Sequence, residues 1–262
     1  MTAASTDIHL DQVGEARLHN ALRRCWHPVR IGLRRLSPWR GAAQDLHVEL
    51  IAPDLFRLTS GGFAAPHVVM GAVPTLVDAG APGRGPAIER ELRAGGIRVE
   101  RIILTHGDPD HVGASDYLRG VTGAEVWASV AERPLIDRSG WRALPLRRRL
   151  LLRAFFRGTS SPTVDRWIDG PAVLDGIAVV PTPGHTPGHL VLDWNGWLLA
   201  GDAVVSGERF RESLDIFTLD RATARRSIES LLARAPLGAS SSHGRPADHA
   251  TERLQALVDT WG

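Results

Sequence analysis

Between His106 and His111 the chain reads His-Gly-Asp-Pro-Asp-His, four potential metal ligands within six residues. Imidazole and carboxylate together are what borderline divalent ions such as zinc take up, at about 2.0–2.2 Å from nitrogen or oxygen. Asp110 and His111 are adjacent, and adjacent side chains point different ways unless the backbone turns sharply, so the segment suits two neighbouring ions better than one. More potential ligands follow in Thr182-Pro183-Gly184-His185-Thr186-Pro187-Gly188-His189, in Gly201-Asp202 and in Ser242-His243-Gly244. Taken singly, Asp108-Pro109 would be a plain turn and His106 or His111 a satisfied core histidine. Four histidines in ordered motifs weigh against that. His47, His67 and His249 sit in no motif and are read as structural.

Composition removes several other chemistries. The 31 basic residues are all arginine, so a phosphate-binding loop that needs lysine is impossible. No Gly-x-Ser-x-Gly element is present, and the single cysteine, Cys25, allows neither an internal disulfide nor a cysteine-based zinc site. The arginines are spread along the chain and nearly matched by 29 acids, for a net charge of +2, so nucleic acid is not expected as a partner. No run approaches the ~18 apolar residues of a membrane span, and the first 18 residues lack the apolar core of a secretory signal. A cytoplasmic protein is expected, with its oligomeric state open.

The elements that must position these residues begin after an arginine-rich N-terminal extension, 1–45, broken by Pro28 and Pro38. From residue 46 short apolar runs closed by turn residues predict strands at 46–51, 55–58, 67–70 and 75–77. Helical spacing over 86–94 stops at Gly95-Gly96, and a buried strand over 101–104 leads into the histidine cluster. A short helix at 115–119, strands at 125–128, 178–180, 190–194 and 197–200, and amphipathic helices at 221–234 and 250–261 complete a layered α+β domain. The insertion around 138–160, with its basic and apolar core Trp141 to Gly158, breaks this rhythm. It reads as a helix lying on the domain with its arginines in solvent or, functionally, as a lid over the site.

The ordered motifs, with Asp78 closing a strand ahead of them, resemble the metallo-β-lactamase fold superfamily over roughly residues 46–262. The resemblance implies an αββα sandwich with two mixed sheets face to face, helices outside, and a metal site at one edge. It implies two divalent ions, the first held by His106, Asp108 and His185, the second by Asp110, His111 and His243, with Asp202 bridging. Asp78 and His189 would support the ligands from behind.

The resemblance further implies a hydrolase in which a metal-bridging hydroxide attacks a carbonyl substrate such as an ester, lactone or thioester, with Asp110 orienting the nucleophile and relaying its proton. An iron-dependent oxidative enzyme, a nuclease or a non-catalytic metal-binding member are the alternatives of the same fold. The departure from the family's His-x-His-x-Asp-His pattern is Asp108. Three carboxylates and a bridging hydroxide would neutralise two divalent ions, whereas histidine at 108 would leave one positive charge. A less electrophilic first ion is therefore expected; zinc comes first, with iron or manganese favoured more than usual. The 19 residues after His243 are fewer than the helical tail with which glyoxalase II binds glutathione, so a glutathione thioester is not favoured. The apolar, arginine-bearing insertion predicts a small-molecule substrate with an apolar body and an anionic group.

Overall fold

The computed structural model describes residues 48–156 and 160–262; the N-terminal extension, Cys25 and His47 lie outside them. One sheet holds seven strands in sequence order: β1 (Val48–Ala52), β2 (Leu55–Leu58), β3 (His67–Val69), β4 (Thr75–Val77), β5 (Arg101–Leu104), β6 (Glu125–Ser129) and β7 (Arg166–Ile168). The first four form the expected antiparallel meander, and β4 to β7 run parallel. The second sheet contains β8 (Ala172–Leu174), β9 (Ile177–Pro181), β10 (Leu190–Trp194) and β11 (Trp197–Leu199). After the short ribbon β12 (Val204–Val205) and β13 (Arg211–Glu212), β14 (Gly238–Ser240) and β15 (Ala247–Asp248) extend that sheet at its β11 edge.

Strand alternation divides the apolar side chains into three layers. Ile103 of β5 and Leu190 and Leu192 of β10 meet between the sheets with Leu55, Val77 and Ile177. Ile102 and Leu104 point the other way, onto Ile88 and Leu92 of the Gly85–Ala94 helix and Leu118 of the Ser115–Thr122 helix. Val191 and Leu198 likewise pack outward on Ile228 and Leu231 of the Arg221–Leu232 helix and Leu254 of the Ala250–Val258 helix. The result is the expected αββα sandwich. β5 is buried on both faces, which is why it reads as an unbroken apolar run. No helix among the described residues is long and apolar enough to cross a membrane.

Several boundaries differ from the sequence reading. The helix expected to stop near Arg119 runs through Gly120 to Thr122 and ends at Gly123, whose φ of 74° supplies a left-handed cap. β7, β8, β14 and β15 were not expected; at two or three residues each they are too short for a period to show. The insertion is helical over Leu146–Phe155, but its arginines are not all in solvent. Arg148 is 2% exposed, because Arg148, Leu151 and Leu152 share one face at helical spacing and Leu152 enters the core.

Two carboxylates hold separate segments together. Glu132 is fully buried and accepts from the backbone N–H of Gly107 at 2.8 Å and of Gly188 at 2.7 Å, joining the loop after β5 to the loop after β9. Glu132→Ala leaves two buried donors unpaired and is expected to lower unfolding free energy by about 2–4 kcal/mol in a denaturant titration. Glu212 is held by Arg225 at 2.8 Å and Arg221 at 2.6 Å, and the Arg225 hydrogen bond, seconded by Arg221, brings its carboxyl down to about 2. A depressed carboxyl contributes stability above its unfolded value, near 4.5, and loses it as pH falls towards about 2. Glu212→Gln should therefore lower Tm by about 2–4 °C at pH 7, after allowance for solvent screening, and by nothing near pH 2, as read by calorimetry.

Candidate metal centre

The parallel strands β4 and β5 and the pair β11–β14 all end at one edge, and the loops that leave them carry the polar residues. Asp78 follows β4 with φ 63°. Its carboxylate accepts from the Thr105 backbone N–H at 2.8 Å and from His111 Nδ1 at 2.8 Å. Thr105 Oγ1 donates to the same carboxylate at 3.0 Å and lies 3.0 Å from His106 Nδ1. With the Nδ1 atoms of His106 and His111 engaged in this way, both Nε2 atoms are left facing the interior of the site.

The loop after β9 turns on Gly184, with φ 132°; a Cβ there would lie 2.2 Å from the Ala224 backbone nitrogen. That close approach lets His185 reach inward. His185 Nε2 lies 3.4 Å from Asp108 Oδ2 and 3.7 Å from Asp202 Oδ2. His189 is occupied differently: its Nδ1 is 2.8 Å from Thr182 Oγ1, and its Nε2 accepts the Asp202 backbone N–H at 3.0 Å. Both ring nitrogens of His189 are thus used in fixing the loop that carries Asp202. His243, at the open side, gives Nδ1 to the Phe63 carbonyl at 2.9 Å and sets Nε2 3.3 Å from both Asp110 Oδ2 and Asp202 Oδ2.

Three overlapping donor groups result: His106, Asp108 and His185; His106, His111 and Asp202; and Asp110, His111 and His243, with the donor atoms of each group within 4.8 Å of one another. His106 Nε2, His111 Nε2 and Asp202 Oδ1 are buried without a hydrogen-bond partner among the described residues. Buried lone pairs left over in a site this polar fit cations, and the mixed imidazole and carboxylate set fits divalent ones.

The electrostatics are those of a site built around positive charge. Burial disfavours ionised Asp108 and Asp202, yet hydrogen bonds and charges from the surrounding histidines, with Arg148 beside Asp108, hold both well below the usual carboxylate range. Burial also opposes charge on His111, but Asp78, Asp202 and Asp110 push it well above the usual histidine value. His243 goes to about 10, its hydrogen bonds to Asp110 and Asp202 outweighing burial. His185 and His189 are lowered, chiefly by burial.

The structure therefore brings His106, Asp108, Asp110, His111, His185, Asp202 and His243 to one place, with Asp78 and His189 behind them. His67 is apart, 2.7 Å from Ser240 Oγ, and His249 is a helix flank in solvent. Two further residues belong to the site and were not singled out in the sequence. Glu132 holds both histidine-bearing loops, and nothing in Ala131-Glu132-Arg133 distinguishes it from a surface acid. Arg148 places Nη2 2.8 Å from Asp108 Oδ1 and 3.0 Å from Oδ2 and donates through Nη1 to the Phe217 carbonyl. Its signal was an arginine at i−4 from a core leucine.

The charge count expected from the sequence needs correction accordingly, since Arg148 returns the positive charge that the carboxylate at 108 removes.

Likeness to known proteins agrees with this geometry. The chain is 30% identical over 209 residues to the probable metallo-hydrolase YflN of Bacillus subtilis (strain 168), covering 65% of this chain and 75% of that one. It is 30% identical over 153 residues to a hydroxyacylglutathione hydrolase of Anaeromyxobacter dehalogenans (strain 2CP-C), covering 57% of this chain but only 45% of that protein. Among solved structures, TTHA1623 in a di-iron-bound form superposes with a TM-score of 0.62 at 23% identity, over 75% of this chain and 96% of that one, a likeness of fold. The metallo-beta-lactamase family protein TTHA1429 from Thermus thermophilus gives 0.61 at 25% identity, over 81% and 80%. Residues 72–240 match the family model of the metallo-beta-lactamase superfamily, and the chain belongs to that superfamily.

Proposed function

We propose that the chain is a dinuclear metal-dependent hydrolase of small carbonyl substrates, an ester, lactone or thioester. The observation that carries this reading is the set of three overlapping donor groups, in which His106 Nε2, His111 Nε2 and Asp202 Oδ1 are buried without a hydrogen-bond partner among the described residues. His106, Asp108 and His185 would hold one ion and Asp110, His111 and His243 the other, with Asp202 shared. When bound, two such ions supply a hydroxide near neutral pH and polarise the substrate's carbonyl oxygen. Asp110, partly open to the cleft, orients the attacking water and takes its proton for the leaving group. Asp78, Thr105 and Glu132 keep the loops from relaxing, so the donors need not reorganise during the reaction.

The cleft beside the site encloses about 250 Å³ and has apolar walls from Phe63, Pro109, Leu151, Leu152 and Phe217. That volume and lining suit a compact substrate with an apolar body. Zinc is the ion proposed first. The carboxylate at 108 is the observation that keeps iron and manganese, and with them an oxidative reaction, as the second reading.

Metal analysis followed by a screen of lactones, acyl esters, phosphodiesters, β-lactams and thioesters, including a glutathione thioester, tests the proposal. Hydrolysis of at least one carbonyl substrate is expected, falling about a thousandfold or more in Asp202→Ala. Full activity in that variant, or oxygen uptake with no hydrolysis, overturns it. Leu151→Ser should lower kcat/KM about tenfold for a hexanoyl substrate while leaving an acetyl substrate within about twofold, which locates the acyl group against that wall.

A further inference from the structure

The Leu146–Phe155 helix carries four arginines, of which Arg147 and Arg153 are exposed, Arg149 is half-buried and Arg148 is buried. A buried guanidinium without a counter-charge would be costly, and the carboxylate it meets is Asp108. Asp108 in turn is nearly buried, and the pairing divides its two oxygens. Oδ1 is turned to Arg148 Nη2, and Oδ2, though also within reach of Nη2, lies 3.6 Å from His106 Nε2 and 3.4 Å from His185 Nε2.

We propose that Arg148 and Asp108 work as one compensated pair in the place of a neutral donor: the guanidinium cancels the carboxylate's charge and leaves Oδ2 as the single donor to the first divalent ion. Arg148 is thus a positioning residue that sets how tightly that ion is held. The inference rests on the two-ion reading above.

Electrostatics gives the sign for each change. Wild type places a net charge of zero at this pair, Arg148→Met leaves one negative charge, Asp108→His leaves one positive charge, and the double variant returns to zero. Arginine cannot relieve the imbalance by losing its proton. A unit charge a few ångströms from a divalent ion in a partly buried site changes its affinity by about tenfold or more.

The test titrates metal-free protein with zinc alone, and separately with manganese alone, against a chelator; the binding step that His185→Ala removes identifies the first position. Arg148→Met should tighten that step about tenfold, and Arg148→Lys, which keeps the charge, should stay within about threefold of wild type. Asp108→His should weaken it about tenfold or more and lower the melting temperature of the metal-free protein. Asp108→His combined with Arg148→Met should recover both. A merely structural arginine predicts the reverse for Arg148→Met, a weaker step, and no recovery in the double variant; either result, or an unchanged affinity in Arg148→Met, overturns the inference. Should Arg148→Met not fold, the Asp108→His single and double variants with Arg148→Lys decide the question. Wild-type protein that takes up neither ion would instead overturn the two-ion reading.

Discussion

Three carboxylates and four imidazoles converge at one sheet edge, most of them shut off from solvent, and everything around that edge follows from what such a cluster costs. Asp202 is 8% exposed and Asp108 7%, while His106, His111 and His185 are closed off. Buried carboxylates at this spacing repel one another and forfeit hydration, so they persist only among cations or donors. The chain meets that demand twice over. Within the cluster the imidazoles alternate with the acids at 3.3–3.7 Å. Behind it, Asp78, Thr105, Thr182, Glu132 and His189 are engaged wholly in holding loops and rings in place. Within the cluster, His106 Nε2, His111 Nε2 and Asp202 Oδ1 are left without a hydrogen-bond partner among the described residues. That is the difference between a polar accident and a binding site.

The fold serves this by bringing distant pieces of chain to one edge at small entropic cost. The loop after β5 brings four of the donors, the loops after β9, β11 and β14 bring His185, Asp202 and His243, and the residue after β4, Asp78, braces them from behind. The close approach at Gly184 and the full burial of β5 act in the same direction: the loops have little freedom left once the sheets have packed.

The donors were legible in the sequence because metal chemistry restricts residue types so severely. His106, Asp110, His111, His185, Asp202 and His243 stand in motifs whose order alone carries information, and β5 and β10 show their burial as uninterrupted apolar runs. Legibility failed where a residue's partner is far away in sequence. Glu132 binds backbone amides 25 and 56 residues distant, and backbone amides have no sequence signature. Arg148 meets Asp108 across 40 residues, in a helix whose arginine content reads as a solvated surface. The edge strands β8 and β15 failed for another reason: with two or three residues and mixed exposure they hold less pattern than a turn does.

The same distance effect changes what the insertion does. A basic, apolar helix next to a cleft invites the picture of a lid that swings over the substrate. Arg148 ties that helix to the cluster, donating to Asp108 and to the Phe217 carbonyl. The helix thus contributes Leu151 and Leu152 to the cleft wall beside the buried Arg148–Asp108 pair.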